Sequence, residues 1–384
     1  MEFEFATADR IIFGPGKLNQ IGSYAGELGK KALVVIGIEL SKAAIFLEIL
    51  DEVGIDSEIF SIDQEPTIEI IREGMYLART ANCDMVISFG GGSAIDCGKA
   101  ISVLLTNTGD ILEYLEVIGK GKPILSHPVT FIAIPTTAGT GAEVTSNAVI
   151  NSPVHKVKVS LRSPKMLPDI ALIDPELTFS MPPEITGFTG MDALTQVIEP
   201  YVSKKSNPFT DSICREGMRR ASNSLLLAYF NGDNLTARTD MSITSMFGGL
   251  ALANSKLGAV HGIAGPFGGM FHAAHGAICA RLLPYVMQEN IHALQNREPQ
   301  NEARYKYDEI ARLLTSNSNA TAMDGVDWIF ELINSLKIPP LSIYGFSESE
   351  LPGMIKKAKN ASSMKGNPIQ LTDEELENIL TKAK

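Results

Sequence analysis

The sequence predicts a layered α/β domain followed by an almost all-helical one, and two observations carry that expectation. In the first half of the 384 residues, short apolar runs rich in β-branched side chains alternate with longer amphipathic stretches, the pattern of strands and helices in a mostly parallel sheet. After Asp174-Pro175 the strand-like runs stop and long helical patterns follow. At roughly 100–200 residues per domain the length suits two or three domains. The Met181-Pro182-Pro183 stretch, with Gly187 and Gly190, places the break near residue 180 and gives domains of 1–180 and 181–384.

Taken in order, strands are expected over residues 32–36, 85–89 and 131–134. Between the first two, residues 69–81 carry Ile70, Ile71, Met75, Leu77 and Ala78 close to helical spacing. In the second half, helices are expected over residues 191–202, 208–231, 237–254, 277–290, 302–315, 324–336, 348–359 and 373–382. There is no internal repeat, and the small polar residues at 316–319 read as a loop.

Composition excludes several classes. Hydrophobic residues make up 45% of the chain, enough for ordinary cores, while the net charge of −11 comes with no basic block, so nucleic acid is not an expected partner. Cys83, Cys97, Cys214 and Cys279 are scattered without a Cys-x-x-Cys pair, which argues against a disulfide framework, a zinc ribbon or an iron–sulfur site and fits a reducing cytoplasm. Residues 1–10 have neither the apolar run of a secretory signal nor the basic character of a transit peptide. Residues 257–280 contain no formal charge and are long enough to span a bilayer, yet they hold six glycines, a proline and three histidines. A buried polar site, not a membrane span, is the expectation there.

From Met85 to Asp96 an apolar strand runs through Gly90-Gly91-Gly92 into a helix reaching about Leu105. Glycines let the backbone approach an anion, and the helix N-terminus offers free N–H groups and a positive dipole end, so a pyrophosphate fits; Ser93 can cap the helix. A second strand ends in Pro135-Thr136-Thr137-Ala138-Gly139-Thr140-Gly141-Ala142-Glu143. In an open sheet both strand ends face one ligand crevice. The alternative for this segment is a capped helix, with Thr140 and Glu143 as a capping box.

Asp192 and Gln196 stand i, i+4 and share a helix face, while His261 and His275 each precede a glycine in the uncharged stretch. Imidazoles with one carboxylate suit zinc or ferrous iron better than calcium or magnesium. The alternative is that these histidines are satisfied core residues.

With these motifs in view, the chain resembles the iron-containing (group III) alcohol dehydrogenase family from end to end. The carrying stretches are Phe13-Gly14-Pro15-Gly16-Lys17-Leu18, residues 90–96, residues 135–143, Leu167-Pro168-Asp169-Ile170-Ala171-Leu172-Ile173-Asp174-Pro175, Gly190-Met191-Asp192-Ala193-Leu194, and His261 through His275 into Leu282-Leu283-Pro284. The resemblance implies the architecture shared with dehydroquinate-synthase-like enzymes: a Rossmann-like dinucleotide-binding α/β domain at the N-terminus and an all-α domain at the C-terminus. It also implies hydride transfer between NADP or NAD and a small alcohol or carbonyl compound, assisted by Fe2+ or Zn2+, in a homo-oligomer.

By the same resemblance the metal ligands match Asp192, Gln196, His261 and His275, with glutamine where the family places a histidine. A neutral amide is a weak ligand, so Gln196 binds weakly, binds through water or leaves three strong ligands and an open position. The family's His-x-x-x-His pattern ends here at Gly265, and His272 either relays a proton in its stead or hydrogen-bonds a backbone carbonyl. Where NAD-preferring relatives carry an Asp at the end of the first strand, this chain has Gly37, followed by Ser41 and Lys42, which makes room for a 2′-phosphate and favours NADP, although Glu39 lies close in sequence. Ser93 and Asp96 are expected along the pyrophosphate and nicotinamide, Thr136, Thr137 and Thr140 along the phosphate and ribose path, and Lys158 near the ribose. Two rivals share the motifs: a redox-neutral lyase of the dehydroquinate-synthase type, which would need Lys and Arg that residues 257–280 lack, and a metal-free binding protein on the same fold.

Overall fold

A computed structural model describes residues 2–155 and 157–384. The chain forms two compact units. One comprises Thr7–Thr137 and Gly141–Thr178; the other comprises Phe179–Lys384, Ala138–Thr140 and the segment ending at Ala6.

The first unit is an α/β layer structure. Its strands are β1 (Arg10–Phe13), β2 (Lys31–Ile36), β3 (Asp56–Ser61), β4 (Met85–Gly90), β5 (Thr130–Pro135), β6 (Asn147–Ser152), β7 (Val157–Arg162) and β8 (Ile170–Ile173), with helices α1 (Ile21–Ala25), α2 (Ala44–Glu52), α3 (Ile68–Ala81) and α4 (Gly92–Thr106). Six strands form a parallel sheet in the order β1-β8-β5-β4-β2-β3, and β6 and β7 make a separate antiparallel hairpin. The sheet sorts its side chains by strand alternation. Ala32, Val34, Ile36, Ile87 and Phe89 pack with Phe46 and Leu50 of α2 on one face, while Leu33, Val35 and Val86 pack with Ile71 of α3 and Ile101 of α4 on the other. Each buried Val, Leu, Ile or Phe among them contributes about 1.5–3 kcal/mol, so the central strands read as continuous apolar runs.

Edge and hairpin strands escape that signal. β3 alternates half-buried with exposed residues at the sheet edge, and β6 and β7 carry mixed polar patterns, so neither shows the buried run that marks β2, β4 and β5. The register pairs Ile36 with Phe89 and Phe89 with Ile134, which brings the carboxyl ends of β2, β4 and β5 level. The chain order reverses between β2 and β4, and a ligand crevice belongs at that switch point.

The second unit is helical: α5 (Pro183–Val202), α6 (Pro208–Phe230), α7 (Leu235–Asn254), α8 (Ala259–Met270), α9 (His275–Arg297), α10 (Ala303–Thr315), α11 (Ala322–Ser335), α12 (Leu351–Asn360) and α13 (Asp373–Ala383). α5 is buried around almost its whole circumference, as a central helix of a single core should be. It begins eight residues before the sequence pattern suggests. Gly187 and Gly190 do not break it; at Gly190 a Cβ would lie 2.2 Å from Leu225 Cδ1, so glycine permits the close approach of α6. α8 has no counterpart in the sequence reading because its glycines and Pro266 mask the helical period. None of the described helices is long and apolar enough to cross a membrane, and residues 257–280 instead form α8, a short loop and the start of α9.

Candidate active site

At the switch point, Gly37 follows β2 and Gly90 ends β4, and their backbones nearly touch. A Cβ at Gly90 would stand 2.8 Å from Gly37 Cα, and a Cβ at either glycine would stand 2.7 Å from Ala94 Cβ. Gly37 is therefore required by packing, whatever room it leaves for a phosphate. Gly91, not Ser93, is the N-cap of α4, and it offers no side-chain cap; the N–H groups of Ala94 and Ile95 reach its carbonyl at 3.0 and 3.2 Å. Gly92 and Ser93 are the first two helical residues, whose amides have no intrahelical acceptor. The Thr136 N–H donates to Gly90 O at 2.9 Å, and its buried hydroxyl has no partner among the described residues. A Cβ at Gly91 would lie 3.3 Å from Thr137 Cγ2, so Thr137 flanks the turn. Gly37, Gly91, Gly92, Ser93, Thr136 and Thr137 thus share one strand-end cluster, which fits the diphosphate of a dinucleotide.

The remaining cofactor candidates are more dispersed. Asp96 accepts from Val149 N–H of the hairpin at 3.0 Å, and burial pushes its carboxyl up to about 6 against the pull of Lys99 and that N–H. Lys158, on the same hairpin, is largely buried and pairs with Glu65 Oε1 at 2.5 Å. Ser41 is exposed in a short 3-10 turn, Leu40–Ala43, after β2. Thr140 belongs to the helical unit. The 3-10 turn Ala142–Val144 has Gly141, not Thr140, at its N-cap, and Glu143 lies inside that turn.

Under the turn, the Lys99 ammonium is fully buried and donates to the carbonyls of Ala142, Thr145 and Asn147 at 2.7, 2.9 and 2.9 Å. Nearby, burial raises the Glu143 carboxyl from its ordinary 4.5 to about 7, outweighing the backbone hydrogen bond and the charge of Lys99. The native protein therefore keeps a proton that the unfolded chain loses between pH 4.5 and about 7. Stability falls as pH rises through that window, by roughly 3 kcal/mol for a shift of this size. Glu143→Gln, which cannot ionise, is expected to raise the melting temperature at pH 8 and leave it unchanged at pH 4. An equal change at both pH values in thermal unfolding would sink this reading.

In the helical unit, α5 presents Asp192, Gln196 and Glu199 at i, i+4 and i+7, α8 brings His261 and α9 opens with His275. His261 Nε2 lies 3.2 Å from Asp192 Oδ1, and its Nδ1 lies 2.7 Å from Glu199 Oε2; Glu199 Oε1 accepts the Val260 N–H at 2.6 Å. Glu199 thereby holds the Nδ1–H tautomer and turns Nε2 toward Asp192, the outer-shell arrangement of metal-bound imidazoles. His275 Nε2 stands 3.9 Å from Asp192 Oδ1, and Cys279 Sγ 3.6 Å from His275 Nε2. Burial opposes charge on Asp192, but the hydrogen bond from His261 and the two imidazoles outweigh it and hold its carboxyl below the ordinary range. Burial likewise opposes the His261 imidazolium, yet Cys279, Asp192 and Glu199 raise its pKa well above 6.5. Burial pushes the Cys279 thiol up to about 12.

These four groups offer donor atoms all within 4.8 Å of one another, a set suited to zinc or ferrous iron. Gln196 Nε2 donates to Gly139 O at 3.2 Å, and its buried Oε1 has no partner among the described residues, as a weak metal ligand or a water-binding group would. Gly265 has open space where a Cβ would stand, and His272 is exposed on the loop between α8 and α9 without a hydrogen bond to the described residues. Glu199 and Cys279 are the residues that sequence reasoning misses. The i, i+4 spacing of His275 and Cys279 is the signal that could have found the second.

Comparison with known proteins extends over the whole chain. Residues 8–175 match the model of the iron-containing alcohol dehydrogenases, and residues 186–384 match that of the C-terminal domain of the Fe-containing alcohol dehydrogenase family. A choline dehydrogenase of Bacillus subtilis is 32% identical, over 97% of this chain and 92% of its own length. A 1,3-propanediol dehydrogenase of Klebsiella pneumoniae is 33% identical, over 99% and 98%. The crystal structure of a 1,3-propanediol oxidoreductase superposes over the full length of both chains with a TM-score of 0.92 at 32% identity.

Proposed function

From the premise that this chain belongs to the iron-containing alcohol dehydrogenase family, and is thus a metal-dependent NAD(P)-linked oxidoreductase acting on an alcohol and its carbonyl partner, we propose how its residues divide the work. The observation that carries the assignment is the convergence of Asp192, His261 and His275 on one point with Glu199 behind. Those three residues would hold the metal, and Gln196 would complete the shell weakly through Oε1 or leave that position to water. When bound, the cation supplies Lewis acidity at the substrate oxygen and NAD(P) donates or accepts the hydride. Glu199 keeps the His261 ring in its donor orientation. The Gly92 and Ser93 amides would take the pyrophosphate beside Gly91, with Thr136, Thr137 and Thr140 along the phosphate and ribose path, Asp96 toward the nicotinamide and Lys158 near the ribose. In this reading residues 1–180 serve the nucleotide and 181–384 the metal and substrate, in a cytoplasmic homo-oligomer. Metal analysis of protein purified without chelators, with NAD(P)H absorbance followed on a panel of small alcohols, tests the assignment. Protein that takes up no iron or zinc overturns it.

His272 would exchange the substrate proton with solvent from its exposed loop. His272→Ala is expected to lower kcat with metal content unchanged and to be partly rescued by added imidazole; a rate unaffected by the substitution would remove the role.

The expectation of NADP over NAD needs a cleaner test than substitution at Gly37, where any side chain meets Ala94. Ser41 is exposed and accepts a carboxylate without strain. Ser41→Asp is expected to weaken NADP at least tenfold, about 1.4 kcal/mol, while NAD changes little. Equal affinities for the two nucleotides in the unmodified protein would count against the preference.

A further inference from the structure

One donor at the metal cluster is sulfur. Cys279 lies one helical turn beyond His275 on α9, so the two project from one face, as Asp192 and Gln196 do on α5. Cys279 is fully buried, and among the four cysteines it is the one grouped with carboxylate and imidazole donors. The distances are those of a coordination shell. A tetrahedral metal with oxygen and nitrogen ligands at about 2.0–2.1 Å and sulfur at about 2.3 Å separates nitrogen from oxygen by about 3.3 Å and nitrogen from sulfur by about 3.6 Å. Here His261 Nε2 is 3.2 Å from Asp192 Oδ1, and Cys279 Sγ is 3.6 Å from His275 Nε2. The separation of 3.9 Å between His275 Nε2 and Asp192 Oδ1 is about 0.6 Å longer than the tetrahedral value, so His275 would have to shift to join the shell.

We propose that Cys279 is a metal ligand of this chain, giving an Asp–His–His–Cys shell in which sulfur takes the fourth strong position and Gln196 stands at the weak one. The proposal rests on the reading that Asp192, His261 and His275 hold the metal. A buried thiol one turn from an imidazole is geometrically ready to ligate, whereas Gln196 presents a neutral amide whose nitrogen is already tied to Gly139. Thiolate is a softer donor than an amide or a third imidazole, so the shell favours Zn2+ over Fe2+ relative to a shell of nitrogen and oxygen alone. The weak position is the one a substrate oxygen can take from Gln196, since such sites expand beyond four ligands during reaction.

Cobalt tests the assignment without reference to turnover. The full chain, stripped with chelator and reloaded with Co2+, is expected to bind one metal per chain, to show visible ligand-field bands and to show a sulfur-to-cobalt charge-transfer band in the near ultraviolet. Cys279→Ser is expected to keep the cobalt and the visible bands, to lose the charge-transfer band, and to shift competition between Zn2+ and Fe2+ toward iron by roughly tenfold or more. Cys279→Ala serves as a second variant should the serine hydroxyl disturb the core, and the spectrum of the parent protein needs no variant at all. Cobalt bound without the charge-transfer band overturns the ligand role of Cys279 and leaves the three-residue site standing. A charge-transfer band that persists in Cys279→Ser and Cys279→Ala also overturns it. Failure of the parent protein to bind cobalt, zinc or iron overturns both readings together.

Discussion

His275→Ala is expected to remove most of the bound metal and to lower kcat/KM by about three orders of magnitude or more, the scale of several kcal/mol of lost charge stabilisation at the substrate oxygen. This substitution is more informative than one at Asp192 or His261. The His275 side chain is 33% exposed at the first turn of α9, whereas the side chains of Asp192 and His261 are 3% and 7% exposed, so alanine at 275 opens the shell without hollowing the core. Gln196→His should act in the opposite direction. Its ring can donate from Nδ1 to Gly139 O, where the amide nitrogen now donates, and present Nε2 to the ion, which repeats the relation of His261 to Glu199. Metal affinity is then expected to rise at least tenfold. Metal content by mass spectrometry and steady-state kinetics on both variants check the contrast; full activity in metal-free His275→Ala would end the Lewis-acid assignment.

The sequence announces some of this site and conceals the rest for physical reasons. Asp192 and Gln196 can be paired from the 3.6-residue period alone, and His261 and His275 stand out because three histidines crowd an uncharged stretch. Glu199 has no such mark. Its role depends on α8 delivering the Nδ1 edge of His261 to it, a contact across 62 residues that no local spacing encodes. Cys279 was readable from the same one-turn spacing as Asp192 and Gln196, but a lone buried cysteine more often serves as a small apolar residue. The glycines mislead in a particular way. Gly37 reads as space for a phosphate and Gly190 as a break, while at both positions a neighbouring side chain stands within 2.7 Å of where a Cβ would be. The strands follow the same logic: β2, β4 and β5, buried on both faces, declare themselves as apolar runs, whereas β3 at the edge and the β6–β7 hairpin keep half or more of their residues polar and do not.

Gly92→Val is expected to leave the protein folded and to weaken nucleotide binding at least a hundredfold, about 2.7 kcal/mol. Gly92 opens α4, where valine is no worse a helix former than glycine, so the helical backbone accepts it. Its isopropyl group would occupy the volume in which an anion meets the amides of the first turn. Gly90→Ala provides the opposing control. A methyl group there stands 2.7 Å from Ala94 Cβ and 2.8 Å from Gly37 Cα, so β2, β4 and α4 must move apart, and overpacking of this kind costs about 1–3 kcal/mol of stability. The two substitutions, two residues apart, are thus expected to separate binding from folding: Gly92→Val loses calorimetric affinity at an unchanged melting temperature, and Gly90→Ala loses melting temperature first. If folded Gly92→Val binds NADP and NAD as tightly as the parent protein, the pyrophosphate lies elsewhere and the strand-end cluster of Gly91, Gly92, Ser93 and Thr136 is a packing feature only.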